Sequence, residues 1–356
     1  MRMIPLAFAV AVFAAAQMTG PISVVGLKEQ FIESIDPALQ GRLLDQISRT
    51  PPATNNDIAA LYDLFMRFPE DRPRQAAIRS LSLLAPSASN TESLFMGYLR
   101  DEEYEAQLFG IKGSLRLRST RALPLIKKIA ERKFVIGRVG ESPLISERNA
   151  YSVQFEALAA LAQWEGKSAM PLLLKKTDES ARVAQILATH LWPESFKLIC
   201  EWAIGKSDKA VEKAREAFAA EVPVSALRQT RAEIEKIVLD PKAPRALRHP
   251  LAVKLGLSST PEEVASLLKL YHAMGDAESK LILSAALFAS RDSQVIPRLT
   301  THAKEHLDPR IRAGARVQLK DMLTPEQYRA LTEWTAKSDP SAENRADAAR
   351  ELGLKR

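Results

Sequence analysis

The chain of 356 residues carries a single cysteine, Cys200, only 14 glycines and a formal charge of +7. One cysteine excludes an intrachain disulfide framework, and glycines that occur singly exclude a phosphate-cradling loop. The length exceeds the roughly 250–300 residues over which one hydrophobic core keeps growing, so the chain must be either multidomain or a repeat array.

The first segment, MRMIPLAFAVAVFAAAQMTG, has Arg2 near its start, an apolar run from Ile4 to Ala16, and small residues at Ala14 and Ala16 before Gln17. This is the pattern of a secretory signal peptide over residues 1–16, which places the mature N-terminus at Gln17. Gln17, Thr19, Gly20 and Pro21 end the apolar run short of the ~20 residues needed to cross a bilayer. No cysteine stands nearby to be acylated. The product is expected to be exported, periplasmic or secreted, with no transmembrane span after cleavage. Residues 17–55 read as N-terminal cap helices and a linker, and 56–356 as a repeat body.

Two kinds of helix alternate along that body. Asn56, Glu92, Arg121, Ser168, Ser195 and Ser225 open one kind. Between them lie alanine-rich helices around Arg74, Phe155, Ala214 and Leu247. Their apolar residues recur at three- and four-residue spacing, and their small residues allow close helix approach. No β-branched run argues for a sheet. From Thr260 the N-cap signals become regular: Thr260-Pro and Thr324-Pro are capping boxes with proline at the first helical position, and Asp276, Asp292, Asp308-Pro and Asp339-Pro read as aspartate caps, as does Asp240-Pro upstream. The steps from 260 to 339 are 16, 16, 16, 16 and 15 residues, one three-turn helix and a loop each. Two steps make a helical hairpin.

Ala122-Leu-Pro-Leu-Ile126, Ala169-Met-Pro-Leu-Leu173, Val295-Ile-Pro-Arg-Leu299, Asp308–Val317 and Asn344–Leu352 resemble HEAT repeats, most closely the short variety named after the phycobilin lyases. A tetratricopeptide array has a similar period and also fits. The HEAT resemblance covers roughly residues 56 to 356. It implies an all-α fold, a right-handed α-α superhelix or solenoid of helical hairpins, and a function in binding rather than catalysis.

Residues 302–306, His-Ala-Lys-Glu-His, match the H-x-x-E-H signature of inverted zinc peptidases. On a helix with Val295, Ile296, Leu299, Ala303 and Leu307 as its apolar stripe, both histidines fall at the stripe's edge and Glu305 nearly opposite. A catalytic zinc needs a third protein ligand, and the 50 residues that follow read as further repeat helices. The motif is therefore read as boundary histidines, with no metal and no cofactor. No G-x-S-x-G or C-x-x-C occurs, and Cys200 reads as a buried small hydrophobe.

Charge is the stronger signal. Residues 112–138 hold nine cations and one acid, so the rest of the chain is close to neutral. Pro124 to Pro171 is 47 residues, some 15 longer than a repeat, and the excess falls at 135–149. Arg121, Lys128 and Arg132, spaced i, i+7 and i+11, would lie within about 40° on one helix face. The HEAT resemblance makes this the second helix of its hairpin, lining the groove, with Lys175 in register on the next unit and Arg116, Arg118 and Arg138 near the edge. The expectation is a non-enzymatic binding scaffold whose basic groove takes an acidic protein segment or an anionic envelope polymer, with 135–149 as a flap and no nucleic acid as partner. The alternatives are a lyase or hydrolase with a site assembled in the groove, and a structural component of a cell-envelope complex.

Overall fold

Three threonines set helix starts reciprocally. Thr54, Thr260 and Thr324 accept hydrogen bonds from the backbone N–H of Asp57, Glu263 and Gln327, whose side chains accept in turn from the threonine N–H at 3.0, 2.7 and 3.1 Å. Each box satisfies backbone donors that a bare helix start would leave unpaired. Asp276 and Asp308 cap as their sequence implies, and Asp292 caps a 3₁₀ turn. Two caps move. Asp240 ends the helix before it and closes a turn by accepting from the Lys242 N–H at 2.9 Å, so the next helix starts only after Pro244. Asp339 is drawn into an ion pair with Arg312, and Ser341 caps the last helix instead.

A computed structural model describes residues 23–68, 71–86, 89–134 and 145–354; residues 1–16, which the sequence reading takes as a signal peptide, and Gln17 lie outside them. The described residues form helices and loops with no strand, and consecutive helices pack pairwise in sequence order, as in an α-solenoid. None of these helices is long and apolar enough to cross a membrane. The chain divides into two compact units, one up to Val183 and one from Ala184.

In the first unit the pairs are α1 (Val24–Glu33) with α2 (Pro37–Ile47), α3 (Asn55–Arg67) with α4 (Asp71–Ser82), α5 (Glu92–Arg100) with α6 (Tyr104–Leu117), and α7 (Leu123–Ala130) with α8 (Ile145–Glu165). The second members α2, α4, α6 and α8 pack side by side in one row. Rings from α3, α5 and α6 form the centre of the core: Phe109 packs against Tyr62, Phe65, Phe95 and Tyr98, with ring centroids 5.5 to 6.2 Å apart. The α9 helix (Met170–Thr177) follows.

The second unit begins within α10 (Val183–His190) and pairs α11 (Trp192–Ala203) with α12 (Asp208–Ala219). After the short α13 (Val224–Gln229) come α14 (Arg231–Leu239) with α15 (Arg245–Leu257), α16 (Pro261–Ala273) with α17 (Ala277–Ala289), α18 (Ile296–Glu305) with α19 (Pro309–Lys320), and α20 (Pro325–Ser338) with α21 (Ala342–Glu351). Trp192 is fully buried, and its indole N–H donates to Thr230 at 2.8 Å, so burying the ring leaves no donor unpaired. Helices α15 and α17 meet closely because Gly256 lacks a Cβ, which would overlap the Ala286 carbonyl.

One pairing differs from the sequence reading. The helix carrying Lys128 packs with the helix after it, so α7 is the first member of its hairpin rather than the second. It also stops at Ala130, because Gln154 donates to the carbonyls of Ala130 and Arg132 and Lys176 donates to that of Arg132, removing them from further helical bonding. Arg121 and Arg132 thus flank α7, and only Lys128 lies within it.

Candidate binding groove

Helices α4, α6 and α8 turn one face each to solvent, and the residues on those faces recur at helical spacing: Arg74, Ile78 and Ser82 on α4, then Leu108, Lys112 and Leu115 on α6. Three adjoining recesses lie along this row. The largest, about 640 Å³, has Ile78, Leu81, Leu115 and Trp164 as its apolar lining and Lys112, Arg116 and Arg118 beside them. A second of about 400 Å³ shares Ile78 and adds Phe65, Arg74, Arg79 and Leu108. A third of about 180 Å³ shares Leu108 and is lined by Tyr151, Phe155, Glu156 and Arg182.

The charged side chains in these recesses are Arg74, Arg79, Lys112, Arg116, Arg118 and Arg182 against one acid, Glu156. Glu156 is already ion-paired with Lys112. Arg116 is tethered by its Nε–H, which donates to the Leu84 carbonyl at 2.8 Å. The Arg74 guanidinium lies 4.4 Å from the Phe65 ring centroid, a cation–π contact that holds it in place. Arg118 ends α6 in the left-handed region, φ 52° and ψ 41°, and is exposed. An L-residue there costs roughly 1–2 kcal/mol, and such strain gathers at functional positions.

The cations singled out in the sequence separate. Arg116 and Arg118 line the largest recess. Lys128 and Arg132 line a different one, about 400 Å³, together with Arg100, Asp101 and Glu102, so that recess is mixed in charge. Arg132 donates to the Gln107 side chain at 2.9 Å, and Arg121 pairs with Glu92 at 3.1 Å. Lys175 is exposed on α9. Arg138 and positions 135–144 lie outside the described residues, while 145–149 form the start of α8. Arg74, Arg79, Lys112, Arg182 and Trp164 are not among the binding residues that the sequence points to. Their helical spacing was visible, but the packing of α4 beside α6 and α8 was not.

The H-x-x-E-H histidines and Cys200 lie elsewhere, in the second unit. The rings of His302 and His306 stack with centroids 5.3 Å apart, the Asp308 N–H donates to His306 Nδ1 at 3.0 Å, and Glu305 is exposed. Among the described residues no three metal-ligating side chains come together. The half-buried Cys200 thiol is pushed up to about 12 by burial, with Glu233 and Glu201 adding to it, so it stays protonated and a poor nucleophile at neutral pH. Compared with known proteins, the chain matches no family model, and no curated protein is significantly similar to it.

Proposed function

We propose that this chain is an exported, non-enzymatic scaffold of HEAT-like repeats that binds an acidic segment of a protein partner along the α4–α6–α8 face. The observation that carries the reading is the charge of the three recesses: Arg74, Arg79, Lys112, Arg116, Arg118 and Arg182 converge there with one carboxylate that is already paired. Clustered like charges repel, so an anionic partner that enters the row relieves a cost already present in the free protein. The recesses also supply apolar contact, which a surface that merely keeps a protein soluble does not need. Export rests on the signal-like pattern of residues 1–16.

Titration of the full chain with a glutamate-rich peptide tests the reading. Affinity is expected to fall steeply with added salt, because the screening length shortens from about 10 Å at 0.1 M to about 3 Å at 1 M. Salt-insensitive binding, or binding unchanged in a variant with Arg79, Arg116 and Arg118 replaced by glutamine, would refute it. N-terminal sequencing of the mature protein is expected to begin at or near Gln17.

A further inference from the structure

The four tryptophans are not alike. Trp192 is buried and hydrogen-bonded. Trp202 and Trp334 are half-buried and each has a lysine ammonium over the ring, Lys213 at 5.4 Å and Lys304 at 5.5 Å. Trp164, half-buried at the end of α8, is the one tryptophan of the four without a ring or cation partner among the described residues, and it lines the largest recess. A polyanion needs a row of exposed cations and no apolar cavity. Here Ile78, Leu81, Leu115 and Trp164 line a cavity of about 640 Å³, with room for a large side chain, and Lys112, Arg116 and Arg118 stand around it.

We infer that this recess is an anchor pocket: it seats a bulky apolar side chain, aromatic by preference, carried within the acidic segment, with Trp164 as the wall against which that side chain packs. The inference rests on the groove reading above and specifies its partner as a protein segment of the form acidic–aromatic–acidic. Aromatic rings contribute both area and oriented ring contacts, and interface free energy concentrates where such an anchor fills a desolvated pocket inside a polar rim. Charge at the rim supplies steering and register, and the pocket supplies selectivity among acidic segments.

Two synthetic peptides of equal length and charge test this, both of glutamate and serine, one with phenylalanine at the centre and one with serine there. The phenylalanine peptide is expected to bind the full chain at least about tenfold more tightly. It should also change tryptophan emission in the native protein and not in Trp164→Phe. In Trp164→Ala the advantage should collapse while the serine peptide binds as before, and circular dichroism verifies that both variants fold. Equal, salt-sensitive affinities of the two peptides for the native protein would overturn the anchor pocket and leave the basic groove standing. Failure of both peptides to bind folded protein would overturn the groove reading and the anchor with it. Heparin binding more tightly than either peptide, with Trp164 emission unchanged, would overturn the anchor in favour of a polymer surface.

Discussion

Arg312 and Asp339, on α19 and at the end of α20, form a buried two-pronged ion pair in which Nε and Nη2 donate to the two carboxylate oxygens at 2.9 and 2.8 Å. Both side chains are almost wholly removed from solvent, at 4% and 0% exposure. The Ser341 N–H and the Asn344 side chain also donate to Asp339, at 2.7 and 3.3 Å. One carboxylate thus joins the last two hairpins. Removing one partner of such a pair strands the other charge in a poorly hydrated place, so Arg312→Met is expected to cost about 3–5 kcal/mol in urea unfolding. Arg310→Met, at an exposed pair with Asp308, is expected to leave the urea unfolding midpoint nearly unchanged.

The same region sets a pH dependence. Burial alone would raise the Asp339 carboxyl, but hydrogen bonds from Arg312, Ser341 and Asn344 outweigh it and hold the group below its ordinary value. Burial likewise raises Glu351, and Arg316, Lys320 and Tyr328 outweigh it. A folded pKa below the unfolded one means that the unfolded chain binds more protons as pH falls. Stability from both groups is therefore complete above about pH 4–5 and is lost as pH falls through the folded values. Melting temperature measured from pH 7 to pH 3 should show this fall, and the fall should be shallower in Asp339→Asn.

His302 is half-buried on α18. Burial, with the charges of Arg298 and His306, pushes it down to about 4, so the ring is neutral at physiological pH. Its edge packs on Phe288 at 5.0 Å. Between about pH 6.5 and 4 the unfolded chain takes up a proton that the folded one refuses, so this contribution to stability declines as pH falls across that window. An imidazole C2-proton titration is expected to give a midpoint near 4 for one histidine, assigned by His302→Gln. A tightly held zinc equivalent in purified protein, lost in that variant, would contradict the reading.

Arg118 and Arg291 are the non-glycine residues with positive φ among those described, 52° and 53°. Glycine at either position relieves strain of roughly 1–2 kcal/mol against an entropic cost of about 0.5–1 kcal/mol. Arg118→Gly should therefore stabilise the chain by a few tenths to about 1 kcal/mol while weakening capture of an acidic peptide. Arg291→Gly should stabilise it similarly with capture unchanged. Thermal melts and peptide titration of the two variants check both halves.

The two basic surfaces of the first unit can be told apart. Glutamine at Arg79, Arg116 and Arg118 together is expected to reduce acidic-peptide affinity by tenfold or more, whereas glutamine at Arg121, Lys128 and Arg132 should change it less than about threefold, since those three stand near Glu92, Asp101 and Glu102. Neither triple variant should lose much stability, because all six residues are exposed. The reverse order of losses would assign binding to the α7 side.

The amino-acid sequence determined helix class and most helix starts because those depend on neighbours a few residues away. Thr260, Thr324, Asp276 and Asp308 cap where local chemistry puts them, and the alanine-rich stretches are the second helices of α3–α4, α7–α8, α11–α12 and α14–α15. Asp339 escaped that logic because its partner, Arg312, is 27 residues away and reaches it only once α19 and α20 are packed. The binding face is of the same kind. Nine cations within 112–138 announced a basic region, but the choice between Arg116 with Arg118 and Lys128 with Arg132 depended on α7 pairing forward with α8 and ending at Ala130. The tertiary structure alone placed Arg74, Arg79 and Trp164 beside them, because a recess exists only between helices, and which helices adjoin is set by side-chain packing over distances that no local pattern records.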